Sequence, residues 1–92
     1  MPNTEQTAIL TADGQVKAGP GYVYWVLVSV AATGGAWQLN DSTADGGTDI
    51  LSAVNAANTQ TFMDFSGFPI RFGTGIYADI PGSNITLTVG YA

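Results

Sequence analysis

Apolar and polar residues alternate with a period of two along most of the chain. The cleanest run closes it: Ile85, Leu87, Val89 and Tyr91 fall on one side of residues 83–91, with Thr86, Thr88 and Gly90 on the other. Similar β-rich runs cover residues 6–11, 15–18, 36–40, 48–54, 59–65 and 76–80. Gly, Asn, Asp and Pro interrupt them about every 8–12 residues, the spacing of a sandwich or barrel. Residues 22–31 are apolar on both faces: Tyr22, Tyr24, Val26, Val28 and Val30 on one side, Val23, Trp25, Leu27, Ser29 and Ala31 on the other. Such a run predicts a central strand with something packed outside it. Asp13-Gly14 predicts a two-residue hairpin. Pro69 sends the short run 68–72 to an edge or a corner. Residues 49–57 hold Ile50, Leu51, Ala53 and Val54 at near-helical spacing; they read as strand, with a single helical turn as the fallback. The expectation is an all-β, single-domain antiparallel β-sandwich over residues 1–92, with about eight strands. Met63 and Phe65 face one way and Phe62 and Asp64 the other.

Composition turns that fold into a question of company. A chain of 92 residues has a small core, which such domains usually reinforce with disulfides, a metal or self-association. With no Cys and no His, the first two are removed in their common forms. Hydrophobic residues make up 46% and charged residues only 10%, against about a quarter in soluble monomers. Large uncharged areas therefore reach the surface, and other chains are expected to cover some of them. Net charge is −5, and Lys17 and Arg71 are the only cations. Two isolated cations cannot neutralise a run of phosphates, so neither nucleic acid nor an anionic membrane is expected as a partner. The start lacks the basic and apolar regions of a signal peptide. The longest apolar stretch, residues 22–28, is far short of the roughly 20 residues that cross a bilayer. The absence of Cys suits a reducing compartment.

The same composition leaves little for catalysis. General acid–base and nucleophilic chemistry draw mainly on His, Cys, Lys, Glu and Asp, and here the ionisable stock is six Asp, Glu5, Lys17, Arg71 and four Tyr. Asp13, Asp64 and Asp79 could in principle supply the carboxylate pair of a glycosidase, but nothing in their spacing selects two of them. Residues 41–49 place oxygen-bearing Asp41, Thr43, Asp45 and Asp49 at positions 1, 3, 5 and 9 of a calcium-type loop, with Gly46 at position 6. Position 12 is Ser52 rather than a bidentate Glu, so the expectation is a solvated turn without metal. No catalytic, cofactor or metal residue is assigned. Arg71 and Lys17 should each meet a carboxylate, Asp64 or Asp79 for Arg71, as an inter-subunit ion pair that sets register or else as ordinary exposed residues. Tyr22, Tyr24, Trp25, Trp37, Phe62, Phe65, Phe68 and Tyr77 suit a core or an interface. Trp37, followed by Gln38, Leu39, Asn40 and Asp41, also offers a sugar-stacking reading.

Taken in order, residues 8–16, Gly19-Pro20-Gly21, the long strand 22–30, the 37–41 strand with its small-residue loop, and the closing Phe68-Pro69-Ile70-Arg71-Phe72-Gly73-Thr74-Gly75-Ile76-Tyr77-Ala78 resemble the small β-sandwich structural proteins of tailed-phage virions, capsid cement or decoration proteins among them. The likeness runs from about Ala8 to Ala92 and rests on strands and turns rather than on a fixed signature. It implies a jelly-roll-like sandwich, a homotrimer, seated on the outside of the capsid, made in the host cytoplasm and bound to the major capsid protein. It carries no site residue over. Residues 1–6 then read as an extended arm that orders on a neighbouring subunit, with a frayed terminus as the alternative. The alternative function is a tail- or fibre-associated carbohydrate-binding module.

Overall fold

The computed structural model describes residues 5–44, 47–81 and 84–92. They form nine strands: β1 (Gln6–Leu10), β2 (Gly14–Lys17), β3 (Gly21–Val30), β4 (Gly35–Asp41), β5 (Thr48–Asn55), β6 (Gln60–Asp64), β7 (Ile70–Phe72), β8 (Ile76–Asp79) and β9 (Ile85–Tyr91). One sheet runs β1-β9-β3-β6, with β7 also paired to β3; the second runs β2-β8-β4-β5. All pairings are antiparallel. The successive pairs β1/β2, β3/β4, β5/β6 and β8/β9 each place one strand in either sheet. That division makes the sandwich a jelly roll, with β7 a short addition on the edge where Pro69 pointed.

The alternation seen in the sequence becomes the core. Val26, Val28, Val30, Ile85, Leu87 and Val89 from the first sheet meet Val16, Trp37, Leu39, Ile76 and Ala78 from the second. Leu51, Ala53 and Met63 pack against this cluster from the outer strands. Residues 48–55 are strand, so the helical fallback is not used. The accessible surface is 4807 Å², close to the ~5,000 Å² expected of a folded monomer of this mass. The fold therefore closes its core without help from another chain.

Two expectations are corrected. Asp13-Gly14 is not a hairpin turn: β1 pairs with β9 and β2 with β8, so the dipeptide is a corner between sheets. The Asp13 carboxylate accepts the Ile80 N–H there at 2.7 Å, tying the corner to the end of β8. Second, β3 does not keep a single phase. Its register against β9 slips between Val23 and Trp25, leaving Tyr24 as an extra residue. That bulge turns Val23 inward together with Val26, and puts Tyr22 outside at 42% exposed. The strands number nine, in keeping with the expected count of about eight, and the short run carrying Pro69 forms β7.

Candidate functional site

The bulge gives the first sheet an outer face with a composition of its own. Beyond Tyr24, the outward residues of β3 are Trp25, Leu27 and Ser29, none of them fully buried. Cross-strand register aligns them with their neighbours. Ile9 stands opposite Thr88, Thr88 opposite Leu27, and Leu27 opposite Phe62. One line across all four strands therefore reads Ile, Thr, Leu, Phe. Ile9 is 70% exposed and Phe62 60%. The next line reads Thr7, Gly90, Trp25 and Asp64. The Trp25 and Phe62 rings lie 5.9 Å apart at 40°, a tilted pair joining the two lines.

Trp25 is held flat by an absent side chain. A Cβ at Gly90 would fall 2.1 Å from Trp25 Nε1, so the indole occupies the space that any other residue would fill. Its N–H donates to the Glu5 carboxylate. Glu5 is thereby drawn onto the sheet, and Gln6 pairs with Tyr91, whose hydroxyl donates to Gln6 Oε1 at 3.0 Å. Of the expected arm, residues 5 and 6 lie on the chain's own first sheet, and residues 1–4 lie outside the described residues. The result is a mainly uncharged platform with a fixed tryptophan, edged by Glu5 and Asp64. Sequence reasoning found Trp25, Leu27 and Phe62 but missed Ile9, because only the pairing of β1 with β9 brings it into line with Leu27.

The other candidates separate. Trp37 is 1% exposed, and its N–H donates to Asn55 Oδ1 at 2.8 Å. It is a core residue with a satisfied polar tip, so it presents no face to a sugar. Phe72 is also buried, whereas Phe68 is 90% exposed in the turn between β6 and β7. Of the possible carboxylate pair, Asp13 caps the corner at Ile80, Asp64 accepts the Ser66 N–H at 2.9 Å, and Asp79 stands opposite Gln38 in β4. The hydrogen bonds from Ser66, side chain first and backbone second, hold the Asp64 carboxyl below its ordinary value.

Asp41, the first residue of the calcium-type loop, points away from that loop. Its Oδ1 accepts the N–H of Thr74 at 2.6 Å and of Gly75 at 3.3 Å. The Thr74 bond is the main cause of its lowered pKa, with smaller help from Gly73, Gly75 and the Arg71 charge. Asp45 and Gly46 lie outside the described residues. Among the described residues no cluster of three or more metal-ligating side chains occurs. Arg71, expected to meet Asp64 or Asp79, stands opposite Tyr22 across the β3–β7 pair, and its charge acts on Asp41. No protein-family model, no curated protein and no solved structure matches this chain.

Proposed function

We propose that this chain is a virion structural protein of the capsid cement type, which acts by being clasped between other chains. In this reading it forms a homo-oligomer, a trimer as the resemblance implies, on the outside of the capsid and holds neighbouring subunits of the major capsid protein together. The observation that carries the reading is the outer face of the first sheet. Ile9, Leu27 and Phe62 cross all four strands in one line beside a pinned Trp25, in a molecule that already has a complete core. Side chains so placed leave part of their surface outside the chain's own packing and are suited to an interface. A standard contact buries about 800 Å² per partner, roughly a sixth of the 4807 Å² surface.

A clamp needs area, shape match and slow release rather than ionisable groups, which suits a chain with 10% charged residues. Jelly rolls also serve as lectins, but the sugar-binding alternative loses Trp37 to the core, and the Trp25 and Phe62 rings are tilted by 40° rather than coplanar. The test is the copy number of the chain in purified virions by quantitative mass spectrometry. Hundreds of copies per particle support the shell; a dozen or fewer move the protein to the tail; absence from the particle overturns the reading.

A further inference from the structure

The only two cations of the chain, Lys17 and Arg71, line one cleft of about 250 Å³. Pro20, Gly21, Tyr22 and Ala92 complete it, at the place where the chain crosses from the second sheet to the first. The two charges come from opposite sheets: Lys17 ends β2, and Arg71 is the middle residue of β7. Gly21 makes room for the first. A Cβ there would lie 2.6 Å from an Ala92 oxygen, 2.9 Å from Lys17 Cδ and 3.3 Å from Nζ, so the lysine stem and Ala92 share the space over the bare backbone at the start of β3. A carboxyl oxygen of Ala92, on the same wall, accepts the Tyr22 N–H at 2.9 Å.

No Asp or Glu side chain among the described residues lines the cleft. Four of the seven side-chain carboxylates accept N–H donors elsewhere: Glu5 from Trp25, Asp13 from Ile80, Asp41 from Thr74 and Gly75, Asp64 from Ser66. In a molecule of net charge −5 the two side-chain cations thus line one concave point, with Asp41 near enough to feel the Arg71 charge. Two like charges facing one space repel each other unless an anion lies between them. A guanidinium fork beside an ammonium matches an oxyanion in both charge and geometry. The volume falls below the ~300–1,000 Å³ of sites for drug-sized ligands, so it fits a single anionic group and not a cofactor.

We infer that this cleft is an oxyanion-binding site, which takes one carboxylate or phosphate group between Lys17 and Arg71. The group can arrive as a free ion or on an acidic segment of another protein, and the experiment separates the two. Amide shifts of Gly21, Tyr22, Arg71 and Ala92 are followed by NMR while inorganic phosphate, citrate or a hexaglutamate peptide is added at low ionic strength. Shifts confined to these residues are expected. Lys17→Gln or Arg71→Gln should weaken binding by about tenfold or more, and added salt should weaken it too. Arg71→Lys, which keeps the charge without the fork, should lose less. Tighter binding of the peptide identifies a protein carboxylate as the natural occupant, and tighter binding of phosphate a free ion. The inference is overturned if no probe shifts these amides, or if the two glutamine variants bind as the parent does. Binding that appears only when the carboxyl group of Ala92 is amidated also overturns it, because the anion is then the chain's own. None of these outcomes depends on whether the chain is a capsid protein.

Discussion

Replacing Phe62 by Ala should separate the cost of folding from the cost of association. Full burial of a phenylalanine side chain is worth about 1.5–3 kcal/mol, and 60% of Phe62 stays exposed in the isolated chain. About 1–2 kcal/mol is therefore available only when another surface covers it. Phe62→Ala should weaken association roughly five- to thirty-fold for each interface the residue enters. The isolated fold loses the covered fraction and part of the Trp25 contact, about 1 kcal/mol together. That corresponds to a fall in Tm of about 4–8 °C for a domain of this size. Leu87 is the control, because it is fully buried between the sheets. Leu87→Ala should cost about 2–5 kcal/mol of folding stability and leave the association constant of the folded fraction unchanged. Sedimentation velocity across a concentration series, with thermal denaturation of the same samples, reads both quantities. The reasoning is refuted if Phe62→Ala destabilises the fold as much as Leu87→Ala while association stays at the parental value.

Gly90→Ala places a methyl carbon where the Trp25 indole lies; it should cost about 1–3 kcal/mol, break the bond to Glu5 and shift Trp25 fluorescence to the red, and an unchanged spectrum counts against the seat described above. Asp13→Ala leaves the partly buried Ile80 N–H without its acceptor, for a loss of about 1–3 kcal/mol in urea unfolding; no loss means that the corner does not depend on this bond. Asp41 and Asp64 are held below their ordinary value of 3.8 by N–H donors at Thr74 and by Ser66 respectively. Their contribution to stability is therefore present above about pH 4 and disappears as the pH falls through their lowered folded values. Asp41→Asn and Asp64→Asn should each flatten the acid limb of a stability–pH curve, and parental slopes in both variants contradict the assignment.

How far the fold could be read from the sequence depended on how local each signal was. β9 announced itself because Ile85, Leu87 and Val89 alternate without a break and all three are buried. β3 was legible as a central strand but not in phase, since nothing in Val23-Tyr24-Trp25 marks Tyr24 as the residue that slips against β9. Asp13-Gly14 carries the local chemistry of a hairpin, yet β1 and β2 belong to different sheets, and only long-range pairing decides that. Trp37 suited a core or an interface, with sugar stacking as the alternative, and the acceptor on Asn55 satisfies its N–H where it lies inside with Leu39. The outer platform was visible only as apolarity on both sides of one strand. Its line from Ile9 to Phe62 joins residues of β1, β3 and β6, and that alignment exists only in the folded register. The cation cleft was beyond reach for the same reason: Lys17 and Arg71 are distant in sequence and meet because β3 runs beside β7.

The most direct measurement is the mass of the purified chain by sedimentation equilibrium over a wide range of concentration. A sandwich whose outer sheet face exists to be covered should populate a species of a whole-number multiple of 9.5 kDa, three-fold for a trimer, and Phe62→Ala should push it toward the single chain. A stable 9.5 kDa particle at every concentration, with Ile9 and Phe62 left open to water, contradicts the account.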